Sequence, residues 1–388
     1  MSTILGSALL LFACNDNSGA STPPKTDASV TEASTMDAPS APAMDAPSAP
    51  TMEGAADAPE IDAPLAQDAQ TDAKPEAATA APAFLTKLDK SQGQLTEGLW
   101  EVSPSAVKGI GTNGTPLLGC AVLGKIIAVA GDGGATDFGV AGDAGALTTF
   151  TLGITTDATG NVYVGVAAGG APPNAPAPGI WKFPPTGGAG SLFSPAGAVT
   201  PAMAFANGLD FIGTDLFVAD SEGRIYKINA AGTAAVWSSD PLLAADKAAC
   251  GGMVPLSIGA NGIVHDTNNV YVTNTNFGRL IKIPIAMDGS AGTPVVIKED
   301  CAALVGADGL VIDPTNGTFI VALNVQNSLV RVTQTGAVTV LASGPPLASP
   351  ASVLIDTTGN QRRLLVTNST FFTAADAGSP GLLALPIP

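Results

Sequence analysis

Six positions downstream of residue 84 share a spacing and a neighbour: Glu97, Leu152, Asn207, Asn261, Asp308 and Ala351. Glycine follows the first five and serine the sixth, and the following residues are separated by 55, 55, 54, 47 and 43 positions. Four of the six are oxygen donors, two carboxylates and two amides. Hard cations such as Ca²⁺ take several oxygens at about 2.3–2.6 Å, with enough negative charge to offset the ion. No cysteine or histidine stands in the set, which disfavours zinc and copper.

These residues need a scaffold that brings equivalent points of successive repeats together. In each copy a small or polar residue opens a short apolar strand, a turn rich in Asp, Gly or Asn follows, and a β-branched strand returns. Copy two has Ile154-Thr155-Thr156-Asp157, a turn at 158–161 and a strand over 162–166; copy five repeats this with 310–313, 314–317 and 318–323. In copy four, 280–283 and 295–297 supply third and fourth strands. Four short strands in each ~50-residue unit, six times over, predict an all-β fold: one six-bladed β-propeller over residues 84–388. Copy six ends with its third strand at 382–385, so its outer strand is expected from 84–88, closing the ring and removing its free edges. The start of each innermost strand then faces the central channel. Helical periodicity is nearly absent; only 242–249 reads as a helical turn or two in a loop.

The ordered set Glu97-Gly98, Asn207, Asn261-Gly262 and Asp308-Gly309 resembles the gluconolactonase/regucalcin-like family of calcium-dependent propellers and, more distantly, the paraoxonases. The resemblance spans residues 84–388. It implies Glu97, Asn207, Asn261 and Asp308 as ligands of Ca²⁺, hydrolysis of a lactone or ester, and Asp308 as the base. Three departures bear on substrate. The chain has Glu97-Gly98-Leu99-Trp100 without the proline usual after Glu-Gly. Met203 and Phe205 precede Asn207 where sugar-lactone enzymes keep an arginine, so a less polar substrate fits better. A single His in the chain rules out the paraoxonase histidine pair. The competing class is a non-catalytic propeller that binds a protein or glycan and keeps the ion as a plug; a lyase on the same scaffold has no dedicated signal.

Plainer readings stand beside these. Asn-Gly and Asp-Gly are ordinary turn formers, because all three residues tolerate positive φ. His265, four residues beyond Asn261, belongs near the far end of an inner strand as a structural histidine. Asp220, Asn274, Asn324 and Asn368 close second strands and read as hydrogen-bonders of blade turns. Cys250 and Cys301 precede Asn261 and Asp308 in neighbouring blades, so a disulfide between them is expected in an exported protein, leaving Cys120 as a small buried residue. Gly131-Asp132-Gly133-Gly134 reads as a flexible connector between blades one and two.

Composition changes sharply at about residue 84. Residues 15–83 hold twelve carboxylates and two lysines, net −10 of the chain's −17, and the heptad MDAPSAP at 36–42 recurs at 44–50. That segment is expected to be a disordered Ala/Pro/Asp-rich linker, too poor in apolar residues to offset chain entropy. The first thirteen residues are uncharged, and the apolar run 4–13 is too short to span a bilayer as a helix. It reads as a secretory signal over 1–14, and Leu11-Phe12-Ala13-Cys14 resembles a lipobox with Cys14 as the lipidated residue. The expected location is the bacterial outer membrane or cell surface, alternatively the periplasm or medium. The expected partners are a small-molecule lactone or ester and a membrane reached only through the lipid, with the protein a monomer. The remaining −7 on residues 84–388 comes with no Lys/Arg cluster to displace counterions, which excludes nucleic acid as a partner.

Overall fold

A computed structural model describes residues 82–88, 96–102, 115–120, 124–141, 149–168, 176–357, 362–372 and 378–387. The signal segment with Cys14, and the linker up to residue 81, lie outside the described residues. The described residues form an all-β propeller of six sheets, antiparallel but for one short added strand. The innermost strands are Thr96–Val102, Thr149–Thr156, Ala206–Ile212, Ala260–His265, Ala307–Ile312 and Pro350–Asp356 for blades 1 to 6. Each pairs with the strand that follows it, and that strand with the next.

Blade 6 is closed by the chain's first described strand. Ala83–Lys87 pairs antiparallel with Gly381–Pro386 and so supplies the outer strand that copy six lacks. Blade 1 departs from the four-strand pattern. A short strand, Gly188–Ala189, reaches over from blade 2 and adds in parallel to Ala135–Val140 as a fifth.

The middle strands read as unbroken apolar runs because both faces of every blade are covered. In Asp215–Asp220, Leu216 and Val218 pack toward blade 2 while Phe217 and Ala219 pack toward blade 4. The two sets alternate along the strand, as a period of two requires. Blade 5 does the same: Phe319, Val321 and Leu323 face one neighbour, Ile320 and Ala322 the other. One apolar cluster fills each of the six gaps between blades, including the gap between blades 6 and 1 where Leu99, Leu118, Leu365 and Leu382 meet.

Helix is confined, among the described residues, to single turns. The expected turn over 242–249 is not continuous: 3₁₀ turns occupy Pro241–Leu243 and Ala249–Gly252, and one α-helical turn spans Cys301–Leu304. The Asp240 side chain accepts from the Leu242 N–H and starts the first of these. Gly131–Gly134 is likewise not a connector between blades. It is the hairpin joining Lys125–Val129 to Ala135–Val140 within blade 1, with Asp132 Oδ1 accepting from the Gly134 N–H at 2.9 Å. No helix among the described residues is long and apolar enough to cross a membrane.

Candidate metal centre

Every inner strand carries the same irregularity at the same place. Pairing slips by one residue between Thr96 and Leu99, Thr151 and Ile154, Ala206 and Leu209, Ala260 and Ile263, Ala307 and Leu310, and Pro350 and Val353. The two residues inside each slip are the candidate position and its follower. The six candidates are therefore the first residues of six equivalent β-bulges, devices that re-aim a side chain where strands meet a site.

The bulges explain the glycines. Gly98, Gly153, Gly208, Gly262 and Gly309 are not in the left-handed region. Each instead lies against the backbone of the next blade's candidate. A Cβ on Gly153 would sit 2.0 Å from the Asn207 carbonyl oxygen, one on Gly208 2.3 Å from that of Asn261, and one on Gly262 2.4 Å from that of Asp308. The reading of these dipeptides as turns is thereby corrected: glycine is required by close approach of neighbouring blades, not by a turn.

The inner strands line a cavity of about 410 Å³. Asn207, Asn261 and Asp308 lie on it, almost fully buried. Glu97 holds the equivalent bulge of blade 1, and its side chain lies outside the described residues. Blades 2 and 6 complete the ring without donors. Leu152 packs with Phe150, Ala167, Phe205 and Phe371, and Ala351 is fully buried. Phe205 belongs to this apolar group, its ring centroid 6.2 Å from that of Phe150, whereas Met203 is part of the core between blades 2 and 3.

Hydrogen bonds orient the donors. Asn207 Nδ2 donates to Ser221 Oγ at 3.3 Å and Asn261 Nδ2 to Thr275 Oγ1 at 2.8 Å. Neither Oδ1 accepts a hydrogen bond from a described residue, so each amide keeps an oxygen in reserve. Asp308 Oδ2 accepts from Asn324 Nδ2 at 3.0 Å. Thr273 Oγ1 accepts from the Gly262 N–H at 2.8 Å and donates to the Asp308 carbonyl at 2.6 Å, stitching blade 4 to blade 5 beside the ring. Burial pushes the Asp308 carboxyl up to about 7, against the lowering effect of the Asn324 and Asn261 amides and the Gly309 N–H. Two uncommitted amide oxygens and a buried carboxylate are a donor set suited to a hard, oxygen-seeking cation. Among the described residues no three of His, Cys, Asp or Glu converge, and the charge that the described side chains bring to this ring is that of Asp308.

The same cavity holds a pair that sequence reasoning did not assemble. His265 Nδ1 meets Asp210 Oδ2 at 2.5 Å, joining the inner strands of blades 4 and 3 toward their far ends. His265 was expected at that end as a structural residue; Asp210 was not singled out, and its 55-residue separation from His265 left no local signal.

The strand-closing polar residues behave as turn and loop bonders in three blades. Asp220 accepts from the Phe205 and Glu222 N–H groups, Asn274 Nδ2 donates to the Leu242 and Ala244 carbonyls, and Asn368 Oδ1 accepts from the Ala348 N–H. Asn324 does not belong with them. The blade 5 strand ends at Leu323, which pairs with Ala307 as Asn274 pairs with Ala260, and Asn324 stands one residue further on. Its side chain turns to Asp308 instead of a loop.

Cys250 and Cys301 form a disulfide between the loops that lead into the inner strands of blades 4 and 5. Cys120 is a free, buried thiol that burial pushes up to about 12.

No protein-family model matches this sequence, and no curated protein matches it. Solved structures do. The chain is similar to a calcium-binding protein, regucalcin, from Agrobacterium tumefaciens, with 17% identity over 79% of this chain and 93% of that one and a TM-score of 0.55. It is similar to a gluconolactonase from Xanthomonas campestris, with 14% identity over 79% and 89% and a TM-score of 0.55. A PQQ-bound aldose sugar dehydrogenase from Streptomyces coelicolor shares 14% identity over 80% and 99%, with a TM-score of 0.51. At these identities the likeness shows the fold. The three bear different activities, so function has to be argued from the site.

Proposed function

We propose that this protein is an exported propeller hydrolase that opens a lactone or ester at a calcium ion held by Glu97, Asn207, Asn261 and Asp308. The observation that carries the reading is convergence. Bulges from three separate blades put two uncommitted amide oxygens and one buried carboxylate on a single cavity. A cation held by these residues would supply Lewis-acid polarisation of the substrate carbonyl. Asp308 takes the proton of the attacking water, and burial raises its pKa. A nearby dication lowers that value and strengthens Asp308 as a ligand, so its two roles compete. The apolar group formed by Leu152, Phe150 and Phe205 favours a less polar substrate over a sugar lactone.

Export belongs to the same proposal, with Cys14 as the lipidated residue and a membrane contacted only through that lipid. The disulfide supports it, because such bonds persist in oxidising compartments.

The test is turnover of a panel of alkyl and aryl lactones and esters by the full chain, with calcium and with chelator, beside Asp308→Asn. Calcium-dependent hydrolysis lost in the variant is expected. Tight calcium binding with no turnover across the panel would instead identify a non-catalytic binding propeller, and no calcium binding would remove both readings.

A further inference from the structure

Behind the ring of bulge residues lies a second layer whose chemistry is matched to it blade by blade. The residue just past the second strand is Ser221 in blade 3, Thr275 in blade 4 and Asn324 in blade 5. Backbone bonding fixes the equivalence: the N–H groups of Ser221, Thr275 and Asn324 donate to the carbonyls of Phe205, Gly259 and Gly306, each the residue before an inner strand. In blades 3 and 4 the ring residue is an amide and the second residue a hydroxyl. In blade 5 the ring residue is a carboxylate and the second residue an amide. Donor faces acceptor in all three.

The polarity of each pair decides which oxygen is left for the cavity. Thr275 Oγ1 spends its one proton on the Ala307 carbonyl at 2.7 Å, so toward Asn261 it can only accept. Asn261 must then present Nδ2 to it and keep Oδ1 free. Asp308 has no proton to give when ionised, so a hydroxyl already committed as a donor elsewhere would not hold it. Asn324 supplies an N–H instead. The substitution carries a cost that shows in the structure: Asn324 Oδ1 is buried with no partner among the described residues. It also needs room. A Cβ on Gly306, itself at φ +81°, would lie 2.8 Å from that oxygen.

We infer that Ser221, Thr275 and Asn324 are positioning residues for cation binding, with Asn324 clamping one oxygen of Asp308 so that the other is presented to the cavity. This rests on the cation reading of the ring. Asn324 was expected to bond a blade turn; its place one residue beyond that position is what gives it this role.

The test is calcium titration by calorimetry of the full chain, with calcium alone as the probe, on two pairs of variants. Asn324→Leu keeps the branched shape and removes the donor; Asn324→Thr offers only a hydroxyl, whose proton, as at Thr275, goes to the next blade's carbonyl. Thr275→Val keeps shape and removes the acceptor; Thr275→Ser restores it. Residues that orient a metal ligand typically contribute about 10- to 100-fold in affinity. Asn324→Leu, Asn324→Thr and Thr275→Val are expected to weaken binding on that scale, and Thr275→Ser to recover most of the loss. Melting in chelator separates this from a folding defect: the variant loses an unpartnered oxygen but also the donor to buried Asp308 Oδ2, so the clamp is tested by calcium affinity in a variant that still melts cooperatively without the ion. Unchanged calcium affinity in Asn324→Leu, or wild-type affinity in Asn324→Thr, overturns the clamp. A wild type that binds no calcium overturns the cation reading itself, and the clamp with it.

Discussion

Replacing Gly262 by alanine would put one methyl group where two blades touch. The new Cβ would lie 2.4 Å from the Asp308 carbonyl oxygen, 2.8 Å from Leu310 Cδ2 and 3.0 Å from Gly309 Cα. Non-bonded carbons rest at roughly 3.5–4.0 Å, so the shortest contact is too close by about 1 Å. Two of the three atoms are backbone and cannot swing away. The inner strand of blade 5 has to move, and Asp308 moves with it. Overpacking of this kind costs about 1–3 kcal/mol, and the upper end applies where backbone must give. For a domain of about 300 residues, ~1 kcal/mol corresponds to roughly 1.5 °C, so a fall of about 5 °C is expected in chelator. Calcium affinity should fall as well, because the displaced strand carries a proposed ligand. Gly197→Ala is the control: its Cβ meets nothing within 4 Å, and its φ is not positive. Scanning calorimetry with chelator and calcium titration measure both effects. Gly262→Ala melting with Gly197→Ala and binding calcium as the wild type does would refute close approach as the reason for glycine at this position.

Three other outcomes are expected. Cys250→Ser/Cys301→Ser opens a link spanning 51 residues, and chain entropy alone predicts a loss of about 4 kcal/mol in denaturant unfolding. The Asp313 carboxyl is pushed up by burial, but the hydroxyl and N–H of Thr315 and the Arg362 guanidinium together hold it below the usual carboxylate range. Its contribution is therefore present above the unfolded value of about 3.9 and is lost as pH falls through the lower folded value; Arg362→Ala should flatten that acid limb in melting curves. Deleting residues 83–87 strips the outer strand from Gly381–Pro386 and uncovers partly buried Phe84 and Leu85 contacts. A loss of about 2–3 kcal/mol with aggregation through the bared edge is expected by melting and light scattering, and an unchanged monomer would count against the closure.

Much of this molecule was legible in the residues because a propeller is built from local pairings. Strands of one blade are neighbours in sequence, so apolar runs separated by Asp157-, Asp266- and Asp313-type turns declare the blades directly. The 43- to 55-residue step declares their number. The same regularity places Asn207, Asn261 and Asp308 at equivalent points, and it calls for 84–88 to finish blade 6, where the structure has Ala83–Lys87. Contacts between blades obey no such local rule. The pairing of Asp210 with His265, the carbonyl against Gly262, and the turn of Asn324 toward Asp308 join residues whose proximity is set by how whole sheets twist and pack. Glycine in Asn261-Gly262 reads the same in a turn as in a bulge, and only the neighbouring backbone tells them apart. Asn324 differs from Asn274 by one position in register, and one position reverses the face to which a strand residue points. A repeat in sequence sets the blades and the ring; which oxygen each ring residue turns to the cavity is decided by the donors and acceptors that packing brings behind it.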